Sequence, residues 1–173
     1  MKRFNVTGVC VPEKHYMVDI SDKLAQIKEM VDYGDYFMIN RARQYGKTTT
    51  LSLLKKMLKS EYIVASISFE GLGDESFESA AAFCRAFMRL IQRSLAFADV
   101  SVEYQNSWLK NDVTDFEELS FHIAEMCKPG AEGSDKKLVL MIDEVDKTSN
   151  NRTYLHFLGI LRDKYLKRAQ NED

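Results

Sequence analysis

Cysteine is scarce in this 173-residue chain: Cys10, Cys84 and Cys127 are odd in number, far apart, and form no Cys-x-x-Cys pair. That spacing gives no disulfide framework. With no histidine pair at metal-ligand spacing, it gives no structural zinc either. His15, His122 and His156 each stand alone and read as packing or surface residues. An excess of one charge is also missing: 24 Lys and Arg against 26 Asp and Glu leave a formal charge of −2. Such a balance offers no general attraction to nucleic acid or to an anionic membrane. Basic residues gather only at Lys55-Lys56 with Lys59 and between Arg162 and Arg168, where a solvated helix face accounts for them. No apolar run approaches the length of a membrane span. The start carries Lys2 and Arg3, but its apolar run is short and broken by Pro12, unlike a signal peptide. A reduced, soluble, cytoplasmic chain is the expectation.

What is present suits one domain over residues 1–173, with 45% apolar and 29% charged residues. After a weakly patterned lead-in from Phe4 to Pro12, Tyr16-Met17-Val18-Asp19-Ile20 runs into Ser21, a helix N-cap by type. Leu24, Ile27 and Val31 then fall on one helical stripe that should stop near Gly34. Tyr36 to Asn40 reads as a first strand, Lys47 to Leu58 as a helix with Leu51, Leu54 and Leu58 inward, and Tyr62 to Phe69 as a second strand. Gly71 and Gly73 mark a turn; a dinucleotide fingerprint would need a third glycine. Phe77 to Ala98 reads as a long, broadly apolar helix, and Ser101 to Asn111 as irregular chain with Trp108 packed under a loop. Thr114 and Glu117 have capping-box spacing ahead of a helix that ends before Pro129. Leu138 to Ile142 is a third strand, and Thr153 to Arg168 a last helix bearing Leu155, Leu158, Leu161 and Tyr165. Alternating helices and apolar strands predict a three-layer α/β fold: a parallel sheet flanked by helices, with ligands at the carboxyl ends of its strands.

Two motifs fall at such ends. The first is Tyr36 to Leu51, an expected strand, a basic loop, and Gly46-Lys47-Thr48 opening a helix. Helix N-termini present unbonded N–H groups and a partial positive charge, so they hold phosphates. In this phosphate-loop (Walker A) reading, Arg43, Gln44, Tyr45, Gly46, Lys47, Thr48 and Thr49 cradle the nucleotide. Lys47 reaches the β and γ oxygens, and the Thr48 hydroxyl ligates Mg²⁺. The pattern departs from Walker A at Arg41, where a glycine is usual. The second motif, Leu138 to Glu144, is an apolar strand ending in two carboxylates, the Walker B form. Asp143 would hold Mg²⁺ directly or through water, and Glu144 would orient or deprotonate the water that attacks the γ-phosphate. Catalysis is thus assigned to Glu144 and Lys47. No Asn-Lys-x-Asp motif for guanine occurs, which favours ATP by elimination. Tyr16 to Asp19 could flank the base, although a core or edge role is the more ordinary reading of such a segment.

The loop Asn40-Arg41-Ala42-Arg43-Gln44-Tyr45-Gly46-Lys47-Thr48 resembles that of the bacterial AAA-ATPase-like family, where Asn-Arg-x-Arg-(Arg/Gln)-aromatic-Gly-Lys-(Ser/Thr) replaces the glycine-rich loop. Pro12 to Leu51, Ser66 to Asp74 and Ile142 to Lys147 carry the resemblance, which covers essentially the whole chain. It implies a P-loop NTPase core of the additional-strand, catalytic-glutamate class, often followed by a nuclease-like region that nothing here matches. It also implies a further strand with a phosphate-sensing residue after the last helix. The expectation is therefore a fold truncated at its C-terminus, lacking the later strands and lid, within a longer protein. Self-association or a C-terminal nuclease-like region would be its partners there. Arg152 and Arg162 read as surface residues and leave the arginine finger unassigned. The expected function is ATP binding and, in the complete protein, Mg²⁺-dependent hydrolysis; turnover by this chain alone is not expected. The alternative is a regulatory or interaction module that binds nucleotide without hydrolysing it.

Overall fold

Local chemistry explains each element of the first sixty residues. Asp19 Oδ1 accepts hydrogen bonds from the Ser21 N–H (2.9 Å) and hydroxyl (2.6 Å), and helix α1 follows as Ser21–Tyr33. The sequence put the cap on Ser21. The N-cap position is Ile20, which makes no side-chain capping bond, and Ser21 is the first helical residue, its N–H held from outside the cap by the Asp19 carboxylate. Gly34 ends α1 at φ 72, a left-handed position, where its N–H meets Val31 O and that of Asp35 meets Met30 O. Helix α2 is Lys47–Leu58, as its pattern predicts. The two helices pack together, with Leu24 and Ile27 buried on α1 and Leu54 and Leu58 on α2.

The computed structural model describes residues 2–5, 8–40, 46–109, 113–128, 130–131, 135–145 and 151–169. It divides into two units, Met1–Ser60 and Glu61–Asp173. In the first unit, Tyr36 to Asn40 is not a strand. A strand exists through its ladder partner, and no strand among the described residues pairs with this run; Met38 is 73% exposed. The lead-in is more ordered than its pattern suggests. Arg3 bridges to His15, and a turn over residues 11–15 closes through the Lys14 and His15 N–H groups on Val11 O and the Val11 N–H on His15 Nδ1, at 2.9 Å.

In the second unit, β1 (Ile63–Ser68) and β2 (Leu138–Asp143) form a parallel pair in register from Ile63–Leu138 to Ser68–Asp143. Parallel strands require a crossover. Here it consists of a 3₁₀ turn (Asp74–Phe77), α3 (Ala80–Leu95), α4 (Val102–Ser107) and α5 (Phe116–Cys127), with α6 (Arg152–Ala169) after β2. These two are the only strands among the described residues, so the three-layer sheet is seen as a small mixed α/β unit. The Ser94 hydroxyl of α3 accepts from the Ser66 N–H and donates to the Ser66 carbonyl, at 2.8 and 3.0 Å. A side chain thereby satisfies backbone groups of β1 that a neighbouring strand would otherwise take.

The core is aromatic: Phe69 lies edge-on to Phe77, Phe83 and Tyr154 at centroid separations of 6.2, 5.9 and 5.8 Å. Several details correct the sequence reading. The long helix from Phe77 is a 3₁₀ turn and then α3, because Ser79 caps the Ala82 N–H at 3.1 Å and restarts the chain. The stretch read as irregular contains α4, capped by Ser101 on the Tyr104 N–H. Trp108 is buried, edge-on to His122. The capping box falls one residue later than expected, with Asp115 on the Glu118 N–H and Glu118 on the Thr114 N–H. On α6, Leu155 is half exposed while Tyr154 and Phe157 are buried, since the aromatic residues set the inward face.

Candidate functional site

Helix α2 begins without a side-chain cap. Its N-cap is Gly46 at φ 75 and ψ 26, a left-handed conformation that a residue with a Cβ enters only under strain. The first rung of the helical ladder runs from the Thr50 N–H to Gly46 O at 2.8 Å. The N–H groups of Lys47, Thr48 and Thr49 lie ahead of that ladder, at the positive end of the helix. Lys47 is half-buried and Thr48 exposed, while Thr49 and Thr50 turn inward. The Thr49 hydroxyl accepts the Cys10 N–H at 3.1 Å, which ties the lead-in to α2.

A cleft of ≈ 740 Å³ opens beside this helix start, lined by residues 16–23 together with Cys10, Gly46, Thr49 and Thr50. That volume is within the range of small-molecule sites. Of the residues read as nucleotide-binding, Gly46 and Thr49 line it and Lys47 and Thr48 do not; Arg43, Gln44 and Tyr45 lie outside the described residues. Tyr16 to Asp19 form a wall of the cleft. Tyr16 is 52% and Val18 83% exposed, so neither is a core residue. Hydrogen bonds from the Ser21 side chain, then its backbone, hold the Asp19 carboxyl below the usual range. Cys10, Lys23 and Thr50 belong to the lining and were not singled out in the sequence. No residue-type pattern marks them; only folding of the lead-in beside α2 brings them to the cleft.

The carboxylate pair belongs to the second unit. Asp143 closes β2 half-buried, its carbonyl accepting the Phe69 N–H at 3.2 Å and its Oδ1 accepting the Glu144 N–H at 2.9 Å. Glu144 has φ 56, the one positive value on a non-glycine among the described residues. That conformation costs about 1–3 kcal/mol for a side chain of this kind. The sharp turn after the strand carries the two acids on consecutive residues. No cluster of three or more His, Cys, Asp or Glu side chains able to hold a metal occurs among the described residues. Carboxylate oxygens such as these are donors of the type a hard cation takes. No described helix is long and apolar enough to cross a membrane.

Comparison with known proteins adds one finding. The model of a family described as an AAA-like domain matches residues 10–173. No curated protein and no solved structure matches the chain.

Proposed function

This chain belongs to the AAA-like domain family, and from that premise we propose that it binds ATP with Mg²⁺, its first unit holding the nucleotide. The observation that carries the reading is the cleft beside the uncapped start of α2, with Gly46 in its left-handed conformation at one end and Tyr16 and Val18 in its wall. An anion is favoured at such a helix end, and exposed apolar side chains in a concave wall favour a flat, partly apolar group such as a base. The proposal places the triphosphate on the N–H groups of Lys47 to Thr49 and the Lys47 ammonium, with Arg43, Gln44 and Tyr45 as further contacts by sequence. By sequence alone, Thr48 and Asp143 remain the residues proposed to bind the metal. When bound, Mg²⁺ supplies neutralisation of phosphate charge.

Any hydrolysis is assigned to Glu144, whose carboxylate would orient or deprotonate water. The strain at φ 56 supports that role, because a glycine would occupy this backbone without cost and would bring no carboxylate. Thermal melts with and without ATP and Mg²⁺ test the binding. ATP at a hundredfold its Kd should stabilise the wild type by about 2.7 kcal/mol and Lys47→Ala far less. No shift in the wild type would reject the nucleotide reading. Glu144→Gln should keep the shift and remove any turnover; turnover unchanged by that substitution would exclude Glu144 as the water-activating group.

A further inference from the structure

The wall of the cleft is a strap pinned at both ends. At its start, the Cys10 N–H donates to the Thr49 hydroxyl on α2 at 3.1 Å. The turn over residues 11–15 then keeps this anchor and the wall in fixed relation, closed by two backbone bonds onto Val11 O and by the His15 ring on the Val11 N–H. At its far end, Asp19 is bonded to Ser21 at the start of α1. Between the anchors lie Tyr16 and Val18, exposed and lining the cleft. Thr49 is buried, next to the exposed Thr48 on the same helix turn, so its hydroxyl faces the strap while its N–H lies at the phosphate end.

We propose that Thr49 is a positioning residue: through the Cys10 amide it sets the base-binding wall at a fixed distance from the phosphate-binding helix start. The inference rests on the nucleotide reading above and assigns Thr49 a role in it beyond its backbone N–H. The two ends of one ligand are held by separate segments, and the Cys10–Thr49 hydrogen bond joins those segments directly. Without that bond the wall is no longer pre-set. Ordering it then falls to the ligand, at the expense of affinity for the part that touches it. Affinity for the phosphates, whose assigned groups do not include the wall, is unaffected.

Calorimetric titration with two probes, Mg-ATP and inorganic tripolyphosphate with Mg²⁺, separates the two ends. Thr49→Val keeps shape and removes the acceptor; it should weaken ATP about tenfold and leave tripolyphosphate within twofold. Thr49→Ser restores the acceptor and should return ATP to near the wild-type value. Cys10→Pro deletes the donor by another route, and the double variant should lose no more than either single one. Equal weakening of both probes by Thr49→Val would overturn the proposal, because Thr49 would then act on the phosphate end or on the fold. Unchanged ATP affinity would overturn it as well. A wild type that binds neither probe refutes the nucleotide reading itself, whereas binding of both with no change in Thr49→Val refutes only the positioning role.

Discussion

Residues 61–173 are held together by aromatic rings, and residues 1–60 largely by hydrogen bonds. In the second unit Phe69, Phe83, Phe87, Trp108 and Phe157 are each at most 1% exposed, and the rings of Phe83 and Phe157 lie 5.0 Å apart. In the first, four aliphatic side chains on α1 and α2 are buried, the rings of Phe4 and Tyr16 pair, and further order comes from polar contacts such as the Arg3–His15 bridge, the Val11 turn, the Asp19–Ser21 bonds and the Cys10–Thr49 bond. The contrast separates two jobs. A close-packed interior is rigid and needs no ligand to complete it. A segment joined by a few polar bonds, with apolar side chains left exposed along a cleft, is the part whose stability a ligand would raise.

The largest effect should come from breaking the rigid half. Phe83 is fully buried among Phe69, Phe77, Phe116 and Phe157. Phe83→Ala should cost about 3–5 kcal/mol, through lost burial and the cavity left behind. Urea melts would measure it, and a loss under about 1 kcal/mol would mean that the second unit does not depend on this ring cluster. Next in size is an alkaline weakness of the same half. Burial, followed by the nearby charges of Asp115 and Glu118, pushes the Cys84 thiol up from 9.0 to about 11, and its S–H donates to Asp115 O. Above pH 9 the unfolded chain loses this proton while the folded chain keeps it, so stability falls as pH rises and levels off past about 11. The loss over that interval should be on the order of 2 kcal/mol, and Cys84→Ala should remove that part of the slope. A slope identical in both proteins would place the titration elsewhere.

The two halves also differ in how far their sequence could be read. α2 begins and ends where its pattern says, because Gly46, the apolar stripe and the lysines of the last turn agree with one another. β2 is equally plain, as a β-branched and leucine-rich run ending in acids. Tyr36 to Asn40 has the same apolar content and forms no strand, since pairing is a property of the partner and not of the run. Caps were legible as regions but not as residues: Ile20, without a side-chain cap, precedes the Ser21 read as the cap of α1, and Asp115 takes the position read for the hydroxyl of Thr114. On α6 a count of leucines pointed to Leu155, while the bulkier Tyr154 and Phe157 fixed the buried face. The cleft was legible in part: Tyr16 to Asp19 could be named as a flank of the base, with a core or edge role as the more ordinary reading, whereas Cys10 and residues 20–23 join the lining only through the fold.

The smallest predicted change tests whether the rigid half carries a deliberate defect. Glu144 holds a left-handed backbone at φ 56, and its N–H is already used by Asp143 Oδ1. Glu144→Gly keeps that backbone bond and removes the clash of the Cβ, while giving the unfolded chain more freedom to lose. The balance should favour the variant by up to about 1 kcal/mol, read as a rise in Tm of a few degrees at most. Nucleotide-dependent stabilisation should persist, since Glu144 is not among the groups assigned to the phosphates. A variant less stable than the wild type would mean that the Glu144 side chain contributes more to folding than its strained backbone takes away. The second unit would then be optimised for packing at this turn as it is in its core, and the case for a retained catalytic carboxylate would lose its physical support.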